Sequence, residues 1–381
     1  MSRPLKILHV TTTTDRGGAE VQLLEFITHS SPDQMVHHVV CLRPLGVLAA
    51  RMEQAGATVE SLNLSSNPAM LLKGLWGLRR IIKLFQPTVI NSWLYHANLL
   101  ALLAKPFPPP PLLWGVHNSG IDPNYLKYNT RLLMSACAKL SSWPKGIVTN
   151  SEKGRTYHVN AGYPLAGFEV ILNGFDTDRF RPDLQERTRL RNKLGLTPER
   201  VLLGMVSRFD PVKNHAGFLR AAARAVALRP ELAFVALGTD VTPQNPALSL
   251  ALQSPLKDHC FLLGESDEIP NWLTAMDAHV LNSFSEGLSN AVGEAMAAGL
   301  PQISTAVGDN TIMIGDCGII IPPADEDALV KAMLEIVDMG AAGREQLGQK
   351  ARQRIKDHFS PASNVQNYYK IYKQLIANSG H

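Results

Sequence analysis

Short apolar runs rich in β-forming residues alternate with helical patterns along this sequence, and this alternation constrains its fold more than any other feature. Because a strand joined to the next strand by a helical crossover lies parallel to it, the pattern predicts mostly parallel, doubly wound α/β sheets. A second series of strands begins at Val201, and 381 residues are enough for two domains with separate cores. The strand-like runs of the first half lie at 5–11, 38–42, 59–64, 88–92, 112–117 and 146–150.

The composition excludes several classes of protein. The charged fraction of 18% and the hydrophobic fraction of 45% are those of a globular protein rather than a disordered one. No apolar run reaches the roughly 18 residues that span a bilayer. The start of the chain passes directly into a strand, which predicts no signal peptide. The 4 cysteines are scattered without metal-binding spacing, so we expect a cytoplasmic protein.

The charge is unevenly distributed along the chain. Residues 1–170 hold 16 basic and 9 acidic residues, and the remainder holds 21 and 24, so a net +7 precedes a net −3. A basic half can face anionic lipid or nucleic acid, but no nucleic-acid motif supports the second partner. Arg79, Arg80 and Lys83 lie in an apolar helical segment, which predicts weak, reversible binding to anionic lipid at the inner face of the membrane. The alternative, in which the apolar residues pack on the sheet and the cations face water, stays open.

One stretch combines a strand, a glycine turn and a helix. The apolar run Ala278–Leu281 is followed by a turn around Glu286 and a helix expected at Ala291–Ala298. In a parallel sheet such a turn lies at the carboxyl edge, where a helix start binds phosphate groups. Glu286 and Glu294 are separated by seven residues and could hold two hydroxyl-bearing parts of one ligand. An acidic cap and an exposed glutamate would explain the same spacing.

Other strand ends carry further candidates. Gly17 and Gly18 between the first strand and its helix permit close approach of a ligand, but the full dinucleotide fingerprint is absent, which argues against a nicotinamide enzyme. Arg208 leaves a strand end in the second half, and Lys213 is expected to begin the next helix. Two cations at the same edge suit a pyrophosphate, although basic residues there are usually ordinary surface. His117 follows the strand at 112–116, and a lone histidine is more often a packing or surface residue.

The pair Asp176 and Asp178 has the spacing of an Asp-x-Asp metal site. It follows the phrase Val-Ile-Leu-Asn173-Gly174, and the simpler explanation is a turn with a side-chain cap. With no clustered histidines and no cysteine pair, we expect no metal and no cofactor.

Several phrases together resemble the retaining glycosyltransferases of family 4, which have the two-domain GT-B architecture. They are Ser285-Glu-Gly-Leu-Ser-Asn with Glu294-Ala-Met-Ala-Ala-Gly299, Gly17-Gly18-Ala-Glu20, Gly-Val-His117-Asn, Asn173-Gly174, and Arg208 with Lys213-Asn214. The resemblance implies two Rossmann-like domains facing a cleft. Residues 1–170 would form the acceptor-side domain, joined by a return helix at about 362–381, and residues 171–361 would bind the donor.

The resemblance also implies a function. The enzyme would move a sugar, with retention, from a UDP- or GDP-sugar to a saccharide or lipid-linked saccharide in polysaccharide or envelope glycan synthesis. Arg208 and Lys213 would stabilise the diphosphate, His117 and Glu286 would contact the sugar, and Glu294 would bind the ribose. The donor-binding residues implied are Gly17, Gly18, Asn173, Gly264, Gly287, Leu288, Ser289, Asn290 and Glu294. A GT-B epimerase, a sugar phosphorylase and a nucleotide-sugar sensor without turnover remain alternatives.

Overall fold

Two parallel sheets carry the fold. The computed structural model describes residues 3–65, 70–106, 108–117, 128–253 and 255–379. It divides into one unit formed by Met1–Gly174 with Pro361–His381 and a second unit formed by Phe175–Ser360. Every strand pair in both sheets is parallel, so each connection between paired strands must cross over the sheet.

The amino-terminal unit has a seven-stranded sheet in the order β3-β2-β1-β4-β5-β6-β7. Its strands are β1 Leu5–Thr11, β2 Met35–Cys41, β3 Thr58–Ser61, β4 Val89–Trp93, β5 Leu112–Gly115, β6 Gly146–Thr149 and β7 Phe168–Val170. Its first six helices are α1 Gly18–Thr28, α2 Ala49–Gln54, α3 Met70–Phe85, α4 Tyr95–Ala104, α5 Tyr128–Leu140 and α6 Glu152–Asn160. The strand β7 was not predicted, because three residues are too few to show a period.

The carboxyl-terminal unit has a six-stranded sheet in the order β10-β9-β8-β11-β12-β13. Its strands are β8 Val201–Val206, β9 Leu232–Leu237, β10 Cys260–Leu262, β11 Ala278–Leu281, β12 Gln302–Thr305 and β13 Gly318–Ile321. Its helices are α7 Leu184–Lys193, α8 His215–Leu228, α9 Ile269–Ala275, α10 Asn290–Ala297, α11 Asn310–Ile314, α12 Glu326–Asp338 and α13 Gly340–His358. The 3₁₀ turns Pro211–Lys213 and Pro246–Leu252 complete it.

The last helix, α14 Pro361–Ala377, belongs to the amino-terminal unit. Its buried side chains, among them Tyr368 and Tyr372, join the apolar cluster on the face of the sheet that α1 covers. The Tyr372 hydroxyl accepts a hydrogen bond from Asn91 Nδ2 on β4 at 2.7 Å, which satisfies a buried amide. The opposite face of the sheet packs against α3 and α4 in a separate cluster.

The amino-terminal unit extends to Gly174, four residues beyond the predicted boundary at 170. Ile171 N–H donates to the Thr149 carbonyl at 2.8 Å, so the chain continues along β6 after β7. Gly174 N–H donates to Gln22 Oε1 at 3.2 Å, which fixes the last residue of the unit to α1. These long-range hydrogen bonds have no local sequence signature.

No helix among the described residues combines the length and the apolar composition that a membrane-spanning segment requires.

Candidate active site

Two loops of the carboxyl-terminal unit meet where β8 and β11 end. The two strands are parallel neighbours, so the loops that follow them leave from the same edge of the sheet. Phe284 N–H in the second loop donates to the Val212 carbonyl in the first at 2.8 Å. Asn282 Nδ2 also donates to the Asn214 carbonyl at 3.3 Å. These contacts join residues 207–214 and 282–289 into one surface.

An ion pair lies at the centre of this surface. Lys213 Nζ donates to Glu286 Oε1 at 2.6 Å, and Ser283 Oγ donates to the same oxygen at 2.6 Å. The Lys213 and Glu286 side chains are only 19% and 10% exposed. Within the described residues, both hydrogen bonds of the Glu286 carboxylate end on Oε1. The carboxylate is therefore held in one orientation while Oε2 can accept a hydrogen bond from a ligand hydroxyl.

Arg208 lies at the rim of the same surface and is 62% exposed. Its Nη2 donates to Asp210 Oδ2 at 3.1 Å, and Asp210 Oδ1 accepts from Val212 N–H at 3.0 Å. Asp210 therefore contacts one cation and caps the 3₁₀ turn that carries the other, Lys213. An exposed ion pair of this kind contributes about 0–1 kcal/mol, so an anionic ligand can engage the guanidinium at small cost.

A buried histidine, His215, lies just after the Lys213 turn and contacts the end of β8 through Ser207. His215 begins α8, and its Nε2 lies 3.2 Å from Ser207 Oγ. Burial, and then the nearby Lys213 charge, lower the pKa of His215 to about 4, so the ring is neutral at pH 7. The chain reaches this helix through Asn214, which adopts a left-handed conformation with φ 55° and caps α8 by accepting from Gly217 N–H. The helix therefore begins two residues after Lys213, not at Lys213 as the sequence suggested.

A third loop, after β12, braces the Glu286 turn. Asp309 N–H donates to the Gly287 carbonyl at 2.8 Å, and Ser289 N–H donates to Asn310 Oδ1 at 2.9 Å. Ser289 is one of the predicted donor-binding residues, but in the structure its N–H is already bound by Asn310. Neither Asn310 nor Ser283 was singled out from the sequence, because a polar residue in a loop carries no signal of which turn it will reach.

The other predicted donor-binding residues of this unit lie along the same edge. Leu288 is buried, Asn290 begins α10, and Glu294 lies one turn further along that helix and is partly buried. Gly264 follows β10 with φ 71°, and its carbonyl accepts from Gly238 N–H after β9 at 2.8 Å. The predicted residues and their hydrogen-bond partners thus follow the carboxyl ends of five of the six strands, β8 to β12, at one edge of the sheet.

The amino-terminal unit holds the remaining predicted residues. Gly17 is the N-cap of α1, and Gly18 is the first residue of the helix. The Glu20 carboxylate packs against Gly17, so that a Cβ at Gly17 would lie 2.1 Å from Glu20 Oε2. Asn173 is buried next to Gly174. His117 lies two residues after β5, and its ring stacks on Trp93 with centroids 4.9 Å apart.

The environment of His117 keeps it neutral. Burial, and then the charge of His158, lower the pKa of His117 to about 4. Its Nε2 is buried and has no hydrogen-bond partner among the described residues. Residues 118–127, which follow directly, lie outside the described ranges. A buried ring nitrogen without a protein partner is suited to a hydrogen bond with a ligand.

The Asp-x-Asp pair forms a turn. Asp176 Oδ1 accepts from the N–H groups of Asp178 at 2.8 Å and Arg179 at 3.1 Å. This arrangement confirms the predicted side-chain cap.

Comparison with known protein families identifies the family of this chain. The family model "Glycosyltransferase Family 4" matches residues 16–179, and the model "Glycosyl transferases group 1" matches residues 186–354. The chain belongs to the group 1 and family 4 glycosyltransferases. The resemblance seen in the motifs is therefore confirmed, and the two matches together cover both units.

Two curated relatives of this family are similar to part of the chain. The UDP-Gal:alpha-D-GlcNAc-diphosphoundecaprenol alpha-1,3-galactosyltransferase of Escherichia coli is 28% identical over 55% of this chain and 54% of its own length. The lipopolysaccharide core mannosyltransferase LpsB of Rhizobium meliloti is 28% identical over 56% of this chain and 64% of its own length. The match thus spans between half and two thirds of these relatives.

A solved structure shares the fold over nearly the whole chain. HepE of Anabaena in complex with UDP-glucose has a TM-score of 0.84 at 19% identity, covering 98% of this chain and 100% of that one. Together with the two parallel-sheet units, this similarity confirms the predicted GT-B fold class.

Proposed function

We propose that this protein transfers a glycosyl group from a nucleotide diphosphate sugar, a UDP- or GDP-sugar, to a saccharide or lipid-linked saccharide acceptor. The observation that carries the proposal is the oriented Glu286 carboxylate beside Lys213 and Arg208 at one edge of a parallel sheet. The named activities of the relatives support a sugar-nucleotide donor and a lipid-linked acceptor. A role in envelope or polysaccharide glycan synthesis, at the cytoplasmic side, is part of the same proposal.

The chemistry asked of the site is mainly electrostatic. Breaking the bond between sugar and diphosphate leaves growing negative charge on the nucleoside diphosphate, which Arg208 and Lys213 stabilise. Glu286 Oε2 accepts from a sugar hydroxyl while Oε1 stays bound to Lys213, so the sugar and the leaving group are positioned by one ion pair. Glu294 binds the ribose, and His117 contacts the donor sugar. In this proposal transfer retains the anomeric configuration and requires no metal.

The first test measures donor binding and turnover in matched variants. UDP-, GDP- and ADP-sugars are screened for thermal stabilisation, and the product of the best donor is analysed by NMR for its anomeric configuration. Lys213→Met removes the central cation, and Lys350→Met serves as the control, because Lys350 pairs with Asp316 elsewhere in the same unit. We expect stabilisation and turnover to be lost in the first variant and kept in the second. Equal stabilisation of both variants, or none of the wild type, contradicts the proposal.

Membrane association forms a second part of the proposal, and α3 supplies the surface. Leu78 and Ile82 pack into the core, as the alternative explanation required. Trp76 and Leu84, however, remain 68% and 73% exposed, and Arg79, Arg80 and Lys83 are exposed with them. Each basic residue near an anionic surface contributes about 1 kcal/mol, so three give weak, salt-sensitive binding. An exposed tryptophan suits the headgroup boundary.

Vesicle sedimentation tests this part separately from catalysis. Wild-type protein is mixed with anionic and with neutral vesicles at low and high salt. Trp76→Ser is compared with Trp143→Ser, which removes another exposed tryptophan of the same unit, 65% exposed after α5. We expect binding to anionic vesicles at low salt that Trp76→Ser weakens and Trp143→Ser does not. Equal binding to both vesicle types, or none at low salt, contradicts it.

A further inference from the structure

We propose that Trp93 is a positioning residue for His117, and that a buried pair of histidines, His9 and His37, fixes the orientation of Trp93. The inference rests on the proposed function only in assigning His117 to the donor sugar. The geometry that supports it lies entirely within the amino-terminal unit.

Four aromatic rings form a row across one face of the seven-stranded sheet. His37, His9 and Trp93 lie on the adjacent strands β2, β1 and β4, and His117 follows the next strand, β5. His9 Nε2 and His37 Nδ1 are 3.0 Å apart, and Trp93 Nε1 donates to His9 Nδ1 at 3.3 Å. The Trp93 and His117 rings are stacked, with an angle of 27° between their planes. The row therefore connects the interior of the sheet to its carboxyl edge.

The hydrogen bonds of this row can run in only one direction. An indole N–H donates and never accepts, so His9 Nδ1 must be the acceptor. A neutral His9 then carries its proton on Nε2 and donates it to His37 Nδ1. Burial lowers the pKa of His37 to about 4 and that of His9 well below its ordinary value, so both rings are neutral at pH 7. His9 and His37 thus each have one tautomer and one orientation.

Burying this row of polar rings inside the sheet lowers the free energy of unfolding. His9 and His37 are 0% and 5% exposed, and His37 Nε2 has no hydrogen-bond partner among the described residues. Burying polar groups opposes folding unless they are hydrogen-bonded, and apolar side chains at these positions would avoid the cost. A connected polar network does fix ring orientations, which an apolar core does less strictly. Local violations of core rules of this kind are expected beside functional sites.

The β5 backbone also limits the position of the His117 ring. A Cβ at Gly115 would lie 2.7 Å from His117 Nε2, so the ring approaches the β5 backbone where only glycine leaves room. Leu94, the residue after Trp93, has φ 70° and ψ 167°, a positive-φ conformation that a leucine rarely adopts. Backbone strain of this kind persists where the surrounding structure requires it. His117 is therefore held between the Trp93 indole and the strand end.

Trp93→Phe tests the inference, with Trp114→Phe as the matched control. Phenylalanine keeps an aromatic face but loses the N–H that binds His9. Trp114 is equally buried on β5 but belongs to the apolar cluster on the opposite face of the sheet, and its N–H has no partner among the described residues. We expect Trp93→Phe to lower kcat by about tenfold with little change in the donor KM, since misplacement of a contacting group acts mainly on the transition state. Trp114→Phe should change kcat by less than about twofold.

Histidine-ring ¹⁵N NMR, recorded without any donor, supplies the readout that stability alone would not move. Wild-type protein should show His9 protonated on Nε2, and the His117 ring signals should shift in Trp93→Phe but not in Trp114→Phe. A His9 protonated on Nδ1, or His117 signals that respond equally to both variants, overturns the inference whether or not the enzyme proves to be a transferase. Unchanged kcat in a Trp93→Phe variant of an active enzyme overturns it as well.

Discussion

Gly308→Ala should disturb the Glu286 turn more than any substitution of the turn's own surface residues. Gly308 has φ 59°, in the left-handed region. A Cβ there would lie 2.2 Å from the Gly287 carbonyl oxygen and 2.5 Å from that of Glu286. Both contacts are with backbone atoms, so no side chain can rotate away. The Glu286 turn and the loop after β12 would have to separate.

The size of the effect follows from two contributions. Alanine in the left-handed region costs about 1–2 kcal/mol. Relieving the clash means opening 2.2 Å to the ordinary contact distance of at least 3.4 Å, a shift of about 1 Å that a packed site resists at a further 1–3 kcal/mol. We therefore expect a loss of about 2–5 kcal/mol in the free energy of unfolding of this unit. The same shift would lengthen the 2.6 Å Lys213–Glu286 contact, and a 1 Å misplacement can reduce turnover about 10²-fold.

Gly340→Ala provides the control for strain alone. Gly340 lies in the same unit with φ 66°, and a Cβ there would meet nothing within 4 Å. Urea unfolding should give a loss of about 1–2 kcal/mol for this variant, with donor stabilisation and turnover retained. If Gly308→Ala and Gly340→Ala lose the same stability and both keep full turnover, the loop after β12 does not position Glu286.

Three further predictions concern electrostatics. Arg208→Ala or Lys213→Ala should each lower turnover about 10²-fold or more, because each removes one preorganised cation that stabilises the leaving group. Circular dichroism should show that folding is intact. Near-normal turnover in a folded variant would show that the residue is not part of the diphosphate site. Turnover should persist in EDTA; complete loss restored by Mg²⁺ or Mn²⁺ would show that the reaction uses a metal. Stability should fall as the pH drops below about 6.5. Burial lowers the pKa of His158 and His279 from 6.5 to about 4, so the unfolded chain binds protons that the folded chain does not. At pH 5 each histidine should subtract about 2 kcal/mol, and thermal unfolding midpoints that are equal at pH 7 and pH 5 would refute this.

The sequence by itself determined the sheets and the positions of the main site residues. Alternating apolar and helical periods are local, and parallel connection rules convert them into parallel, doubly wound sheets without fixing the strand order. The strand ends then place Arg208, Lys213 and Glu286 at one edge, because parallel strands end together. Each strand, turn and helix pattern used in this prediction lies within a single βα unit.

Only the tertiary structure decided how those residues are held. Ser283 and Asn310 act through contacts with a turn whose position depends on the packed sheet, and no local pattern selects the partner of a loop hydroxyl or amide. The sequence likewise left open which side chains of α3 face the core. Packing buried Leu78 and left Trp76 outside with the cations, since a helix presents only one stripe to its sheet.

The row from His37 to Trp93 shows the same limit most clearly. Its members are separated by up to 84 positions in the chain, and each alone is an ordinary residue in an apolar strand. They become a network only when β2, β1 and β4 pair in register and bring their rings onto one face. Periodicity specifies which face a side chain takes, whereas the partner across the sheet is set by strand order, which long-range packing decides.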